Sequence, residues 1–279
     1  MRKWISGILT VALLGVFIFS AVKLVQIRNF YKTGEETYGG AVEEFTQQST
    51  FVSATPSMAS AGAAQSVDAP ADTQPSGVYA PILVDFERLQ RVNPDVVGWI
   101  YCEGTVINYP VVAAPDNDYY LERSYTKESD PCGTIFCDSF NYRDFVDSNT
   151  ILYGHHMQNM SMFATLKYWF EQDYYDEHPY MWLLTPTQDY KIMLFSGYET
   201  SATSDTYTIF RGHGDKLRAY LDEAVSKSRF QSDYVPSGTA NYLLLSTCAY
   251  SFQLARTVLH GELVPVDSAG GYPINQTGE

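Results

Sequence analysis

The chain has little positive charge and no basic stripe. Lysine and arginine together number 18 among 279 residues, against 32 aspartates and glutamates, so the formal net charge is −14. A chain this acidic has no general electrostatic route to DNA or RNA. We therefore expect no nucleic-acid partner.

Cysteine is also scarce, with residues at Cys102, Cys132, Cys137 and Cys248 only. An even number in an exported chain can indicate disulfides, but spacing supports only a Cys132–Cys137 pair. The same pair could be half of a metal site, yet no second half follows it. A domain of this size needs no covalent staple. We predict that Cys102, Cys132 and Cys137 are buried free thiols.

Charge is absent from a long apolar run near the N-terminus, between Trp4 and Val22. The run is long enough to span a bilayer as a helix. A cleaved signal peptide is the alternative, but its apolar region would usually be shorter and no clear cleavage site follows. We predict an uncleaved anchor. Basic residues flank both ends of the run, so charge alone does not set its orientation.

Composition divides the chain into four parts. Residues 1–27 form a short N-terminal tip and the predicted transmembrane anchor. Residues 28–78 form a polar, largely disordered linker, in which residues 28–45 are compatible with a short helix. Residues 46–78 have almost no large apolar side chain to offset their chain entropy. Residues 79–267 form the folded domain, and residues 268–279 form a flexible tail.

The folded part contains short apolar runs separated by turn signals, and no internal repeat is visible. Many short strands of this kind predict a β-barrel or a β-sandwich. The eight runs cover residues 96–102, 105–112, 133–138, 149–155, 180–185, 190–198, 242–248 and 256–264.

Three stretches have helical spacing instead. Residues 84–93 precede the strands, and the Asn93-Pro94 pair would end that helix. Residues 162–170 interrupt the strands. Residues 215–230 form an amphipathic helix between two late strands, with four apolar residues on one face: Leu217, Leu221, Ala224 and Val225.

Cys248 differs from the other cysteines because it ends an apolar strand in the sequence LLLSTCAYSFQLAR. A hairpin after it would bring Arg256 beside Cys248 on the neighbouring strand. A thiolate nucleophile needs a cation for the developing oxyanion and a proton donor for the leaving group. Cys248 and Arg256 could supply the first two, and a histidine would supply the third.

The chain has five histidines, and sequence position alone does not choose among them. His155 ends a predicted strand after a glycine, and its neighbour His156 would point to the opposite face in extended backbone. The default for the mid-strand His260 is a buried structural role. The others lie in polar or glycine-rich segments, at His178 and His213.

Three motifs in order resemble the sortase family, the transpeptidases of Gram-positive cell surfaces. LSTCAYSFQLAR resembles the family's Thr-Cys strand end followed by an arginine. NTILYGHHMQNMSMFATLKYW is similar to the segment with the catalytic histidine after Tyr-Gly. DFERLQRVNPDVVGWIYCEGTVINYPVV and the helix between two late strands are similar to class B. The resemblance covers roughly residues 80–266 and departs mildly at Leu244-Leu245.

The resemblance implies a mainly β fold, a sortase-type closed β-barrel of about eight strands with an N-terminal helix and a helix between two late strands. It also implies that Cys248 is the nucleophile, His155 the acid/base and Arg256 the oxyanion or substrate clamp. Tyr153 and Ser246, two residues before His155 and Cys248, become candidate substrate-binding residues because alternate strand residues share a face. A packing role for each is equally compatible with the sequence.

The implied reaction cleaves an LPxTG- or NPxTG-like sorting signal after Thr through a thioacyl enzyme. The partners would be surface proteins carrying that C-terminal signal and an amine acceptor, either a peptidoglycan precursor or a pilin lysine. No metal or cofactor is implied. The enzyme would be a single-pass membrane protein with a cytoplasmic N-terminus and an extracellular catalytic domain.

Other proteins fit less well. An L,D-transpeptidase has Ser-His-Gly before its cysteine and an arginine two residues after it, whereas Arg256 is eight residues from Cys248. A papain-like protease usually has its cysteine before its histidine in the chain. The non-enzymatic alternative is a tethered surface-binding β-domain. In such a protein Cys248 would be inert to alkylation.

Overall fold

The computed structural model describes residues 2–49 and 77–268. Its helices are α1 (Arg2–Phe45), α2 (Phe86–Val92), α3 (Gln172–Glu177) and α4 (Asp215–Lys227), with 3₁₀ turns at Ala164–Phe170 and Asp205–Tyr207. Its strands are β1 (Thr46–Gln48), β2 (Ile82–Val84), β3 (Val96–Tyr101), β4 (Asn108–Ala113), β5 (Ile135–Cys137), β6 (Asn149–Tyr153), β7 (Tyr180–Leu184), β8 (Asp189–Ser201), β9 (Asn241–Cys248) and β10 (Ala255–Val266).

Eight of these strands close into a barrel, in the order β10-β8-β7-β3-β4-β5-β6-β9. Each corresponds to one of the eight predicted apolar runs, so the predicted barrel is confirmed and the sandwich is excluded. Two neighbouring pairs are parallel, β4 with β5 and β6 with β9. The parallel β6–β9 pair places the C-terminal ends of both strands, and the residues that follow them, at one rim of the barrel.

The predicted helices within the folded part are present but shorter than their sequence patterns. Helix α2 begins after Asp85, whose carboxylate accepts a 2.9 Å hydrogen bond from the Arg88 amide, and ends before its capping residue Asn93. Helix α4 connects β8 to β9 and buries Leu217, Leu221 and Ala224. The stretch at 162–170 forms a 3₁₀ turn rather than an α-helix.

The folded unit begins earlier than the predicted boundary at residue 79. Helix α1 runs without interruption to Phe45, and β1 then pairs antiparallel with β2. Tyr38, Ala41 and Phe45 are buried against the barrel domain. Residues 28–45 are therefore helix and residues 46–48 are strand, where the sequence indicated a polar segment at the start of a linker. Their spacing places apolar side chains on one face of an otherwise polar helix.

The other parts of the predicted linker and tail, residues 50–76 and 269–279, lie outside the described residues. Among the described residues, one helix is long and apolar enough to cross a membrane by length and composition, the part of α1 from Leu13 onwards. A signal sequence would pass the same test.

Three of the four cysteines are buried in the hydrophobic core. Cys102, Cys132 and Cys137 are buried and unpaired, as the sequence predicts. Burial raises the pKa of Cys102 and of Cys132 to about 12, because a thiolate there would be poorly solvated. A thiol with a pKa raised in this way stays in its neutral, weakly nucleophilic form near pH 7.

A buried histidine gives the barrel a specific pH dependence. His260 lies in β10 with its ring stacked on Tyr198, and burial lowers its pKa to about 3. The unfolded chain protonates this imidazole near pH 6.5 and the folded chain does not, so its contribution to stability is lost as pH falls from about 6.5 towards 3.

The free energy of unfolding of the wild type should be lower at pH 4.5 than at pH 7. We expect His260→Gln to make this difference smaller by on the order of 1–3 kcal/mol. Urea denaturation at both pH values would measure it. His213→Gln, which changes an exposed imidazole, is the matched control. The same pH dependence in wild type and His260→Gln would contradict the assignment.

Candidate active site

Cys248 and Arg256 face each other across one antiparallel pair. Cys248 is the last residue of β9, and its register partner in β10 is Arg256. Directly opposed residues on neighbouring strands place their side chains on the same face. Leu254, in the short connection between the strands, has a φ of 60°, which turns the chain back. The predicted hairpin and the juxtaposition it implies are confirmed.

The histidine segment leaves the barrel at the same rim. Tyr153 at the end of β6 lies in register with Ser246, and the Gly154 amide donates a 3.1 Å hydrogen bond to the Ser246 carbonyl. A Cβ on Gly154 would come within 2.8 Å of the Phe163 ring, so only glycine fits here. His155 follows directly, and its Nε2 lies 2.5 Å from the Leu121 carbonyl oxygen.

His156 also approaches the cysteine strand, although it was expected to point to the opposite face. Its Nδ1 lies 2.8 Å from the carbonyl oxygen of Cys248, and the Tyr250 ring packs against it at 5.3 Å. The chain is no longer an extended strand after Tyr153, so strand alternation fails at this point. Burial lowers the pKa of His156, which favours its neutral form.

A groove with a cavity volume of about 190 Å³ brings the predicted side chains together. Cys248, His155 and Arg256 all line it, whereas His156 does not. Its other lining residues are Asn117, Leu121, Phe136, Tyr153, Gly154, Ser246 and Thr247.

Tyr153 and Ser246 line the groove as predicted, but their hydroxyls are already engaged. The Tyr153 hydroxyl donates a 2.8 Å hydrogen bond to Asp138, and the Ser246 hydroxyl lies 2.8 Å from that of Tyr207. Burial, and then the Asp138 carboxylate, hold the pKa of Tyr153 well above its usual range. Burial raises the pKa of Tyr207 to about 12.

Sequence reasoning missed several residues of this site. Asn117 lines the groove and donates a 3.1 Å hydrogen bond to Asp138, so the two residues and Tyr153 form one polar network beneath it. Leu121 lines the groove and holds His155. Asn117 and Leu121 lie in a long loop with no strand or helix periodicity, so no local sequence signal marks them.

The arrangement is suited to acyl transfer. Cys248 is only half buried, unlike the other three thiols. An imidazole and a guanidinium line the same groove and can respectively move a proton and stabilise a negative oxygen.

A curated relative decides the family. Sortase B of Listeria monocytogenes is 33% identical over 268 residues, covering 95% of this chain and 98% of the relative. The chain belongs to the class B sortase family. Sortase B of Staphylococcus aureus is 36% identical over 185 residues, covering 65% of this chain and 75% of the relative. No family model matches the chain.

Solved structures agree with this sortase fold. A crystal structure of Staphylococcus aureus sortase B has a TM-score of 0.61 at 33% identity, covering 65% of this chain and 87% of that one. Sortase B of Clostridium perfringens has a TM-score of 0.60 at 34% identity, covering 64% of this chain and 100% of that one. The predicted family and fold class are confirmed, and the protein is a sortase, a cysteine transpeptidase.

Proposed function

We propose that this sortase cleaves an LPxTG- or NPxTG-like sorting signal after Thr through a thioacyl intermediate on Cys248. The observation that carries the proposal is that Cys248, His155 and Arg256 line one groove at the rim of the barrel. The Staphylococcus aureus enzyme has been solved as a sortase B–substrate complex, which supports substrate binding by this chain.

Each side chain has a distinct role in the proposed reaction. The Cys248 thiolate attacks the Thr carbonyl carbon, and Arg256 hydrogen-bonds the negative oxygen that forms. The carbon–nitrogen bond then breaks, and His155 gives its proton to the departing amine. The Thr acyl group remains on Cys248 as a thioester.

An amine acceptor completes the transfer. Its nitrogen attacks the thioester carbonyl, a proton passes to His155, and the Cys248 thiolate leaves. The acceptor is a peptidoglycan precursor or a lysine of a pilin, and a sortase B solved in complex with triglycine supports an acceptor of this kind. Hydrolysis of the same thioester would follow when water replaces the amine.

Tyr153 and Ser246 form part of the proposed substrate surface. Their hydroxyl hydrogen bonds to Asp138 and Tyr207 fix both side chains in the wall of the groove. In this proposal they shape the site for an extended peptide rather than take part in proton transfer.

We also propose that helix α1 anchors the enzyme in the cell membrane of a Gram-positive bacterium, with the N-terminus cytoplasmic and the barrel outside. The apolar part of α1 supports this location. Tyr38, buried against the barrel, follows Leu24 by 14 helical residues, a rise of about 21 Å. A continuous helix of this kind would hold the groove near the membrane, where exported substrates emerge.

A peptide assay with the full-length chain in detergent tests the proposal. We expect cleavage of quenched fluorescent LPxTG or NPxTG peptides after Thr, and formation of the Thr hydroxamate when hydroxylamine replaces the natural amine. A scrambled peptide is the control. If no peptide forms an adduct on Cys248 and the thiol resists iodoacetamide in the folded protein, the proposed thioacyl chemistry is wrong and a non-catalytic binding role is favoured.

A further inference from the structure

Helix α1 reaches the back of the segment that holds His155. Tyr38 is 6% exposed, and its hydroxyl donates a hydrogen bond to the Gly133 carbonyl oxygen. The same hydroxyl lies 3.1 Å from Thr134 Oγ1. The rings of Tyr109 and Tyr125 pack against the Tyr38 ring at 5.5 Å and 6.2 Å. Tyr38 is therefore fixed in orientation and bonded to one backbone carbonyl.

Gly133 in turn lies beside the histidine, with no room for a side chain between them. Its φ is 58°, and a Cβ there would lie 3.0 Å from Cδ2 of His155 and 2.5 Å from the Leu121 carbonyl oxygen. Nε2 of His155 lies against that same Leu121 oxygen. The Gly133 backbone and the Leu121 carbonyl thus lie next to the imidazole, and the Tyr38 hydroxyl is hydrogen-bonded to the Gly133 carbonyl.

A second set of contacts joins the same tyrosine cluster to the backbone of His155. The Tyr109 hydroxyl accepts a 3.0 Å hydrogen bond from the Met162 amide. The next amide, that of Phe163, donates a 3.0 Å hydrogen bond to the His155 carbonyl oxygen. The edge-to-face contact of Tyr38 with Tyr109 therefore supports the far side of the histidine loop.

We propose that Tyr38 is a positioning residue for the transpeptidation reaction, through which helix α1 holds the His155 imidazole in its working place. Tyr38 does not line the groove, so in this proposal it acts through Gly133 and Tyr109. The inference rests on the proposed role of His155. It makes the segment of α1 next to the barrel part of the catalytic unit.

The test compares Tyr38→Phe with Tyr125→Phe in the full-length chain. Both substitutions remove one hydroxyl from the same buried cluster, but only Tyr38 bonds Gly133. We expect Tyr38→Phe to lower kcat at least about tenfold, with KM for the peptide unchanged within about twofold, because small displacements of a catalytic group are costly. Tyr125→Phe should change neither constant more than about twofold.

Imidazole NMR of ¹⁵N-histidine-labelled protein separates positioning from general destabilisation. Tyr38→Phe should shift or broaden the ring resonances of His155 and leave those of His260 in place. A purely structural role would lower the melting temperature without this selective change.

Two glycines of α1 give an independent matched pair. A Cβ on Gly34 would collide with the Cys132 sulfur, whereas a Cβ on Gly39 meets nothing within 4 Å. Both replacements by alanine favour the helix equally. Gly34→Ala should displace α1 and reduce kcat in the same way as Tyr38→Phe, and Gly39→Ala should not.

The outcomes are distinguishable from those of the proposed function. If His155→Ala inactivates the enzyme while Tyr38→Phe and Gly34→Ala keep wild-type kcat and His155 resonances, the positioning role is wrong and the mechanism stands. If His155→Ala retains full activity, the role of His155 is wrong and the inference falls with it.

Discussion

Cys248→Ala is expected to leave no measurable peptide cleavage and no hydroxamate product. The substitution removes the thiol that lines the groove, and loss of the nucleophile in an enzyme whose residues act together costs on the order of 10⁶-fold in kcat. Cys248 is half buried at a strand end, so the barrel should stay folded. Circular dichroism and the melting temperature would verify this beside the fluorescence assay.

Alkylation supplies the control for this result. Cys102, Cys132 and Cys137 are buried, so iodoacetamide should add one label to the folded wild type and none to Cys248→Ala. Intact-protein mass spectrometry would count the labels. Turnover by Cys248→Ala above the no-enzyme rate, or a label on another cysteine that parallels inactivation, would contradict the assignment of the nucleophile.

The two adjacent histidines should respond very differently to alanine. His155→Ala should lower kcat by about 10²–10⁴-fold, the usual contribution of a positioned general acid–base. His156→Ala should lower it by no more than about tenfold. It removes one hydrogen bond to the Cys248 carbonyl, and such a bond contributes about 0.5–1.5 kcal/mol.

Each substitution is the matched control for the other, because both remove an imidazole from consecutive residues at the same rim of the barrel. Steady-state kinetics with one peptide, together with melting temperatures, would compare them. A larger kcat loss in His156→Ala than in His155→Ala would reverse the assignment and make the imidazole beside the Cys248 carbonyl the proton carrier.

The eight barrel strands could be predicted because each is a short apolar run between turn residues, and that pattern is local. The candidate site could be predicted where motifs carry it: Cys248 at a strand end, Arg256 opening the next strand, and His155 after Tyr-Gly. The hairpin connecting Cys248 to Arg256 is also a local feature, so their juxtaposition follows from the sequence.

The buried faces of the helices were harder to predict from the sequence. Val225 was expected on the same face as Leu217, Leu221 and Ala224, but it is 43% exposed. It lies about 100° around the helix from Ala224, at the edge of the apolar face. Tyr38, Ala41 and Phe45 also have the apolar spacing of a buried helix face. That spacing is harder to see because the residues around them are polar.

The sequence by itself determined the family, the eight strands and the residues of the proposed chemistry, because each depends on residues close together in the chain. Only the tertiary structure decided the parallel pairing of β6 with β9, the contact of Leu121 with His155 and the link from Tyr38 through Gly133. Those contacts join residues 34 to 95 positions apart. They form only when barrel closure and the packing of α1 bring distant segments together, and no local periodicity encodes that step.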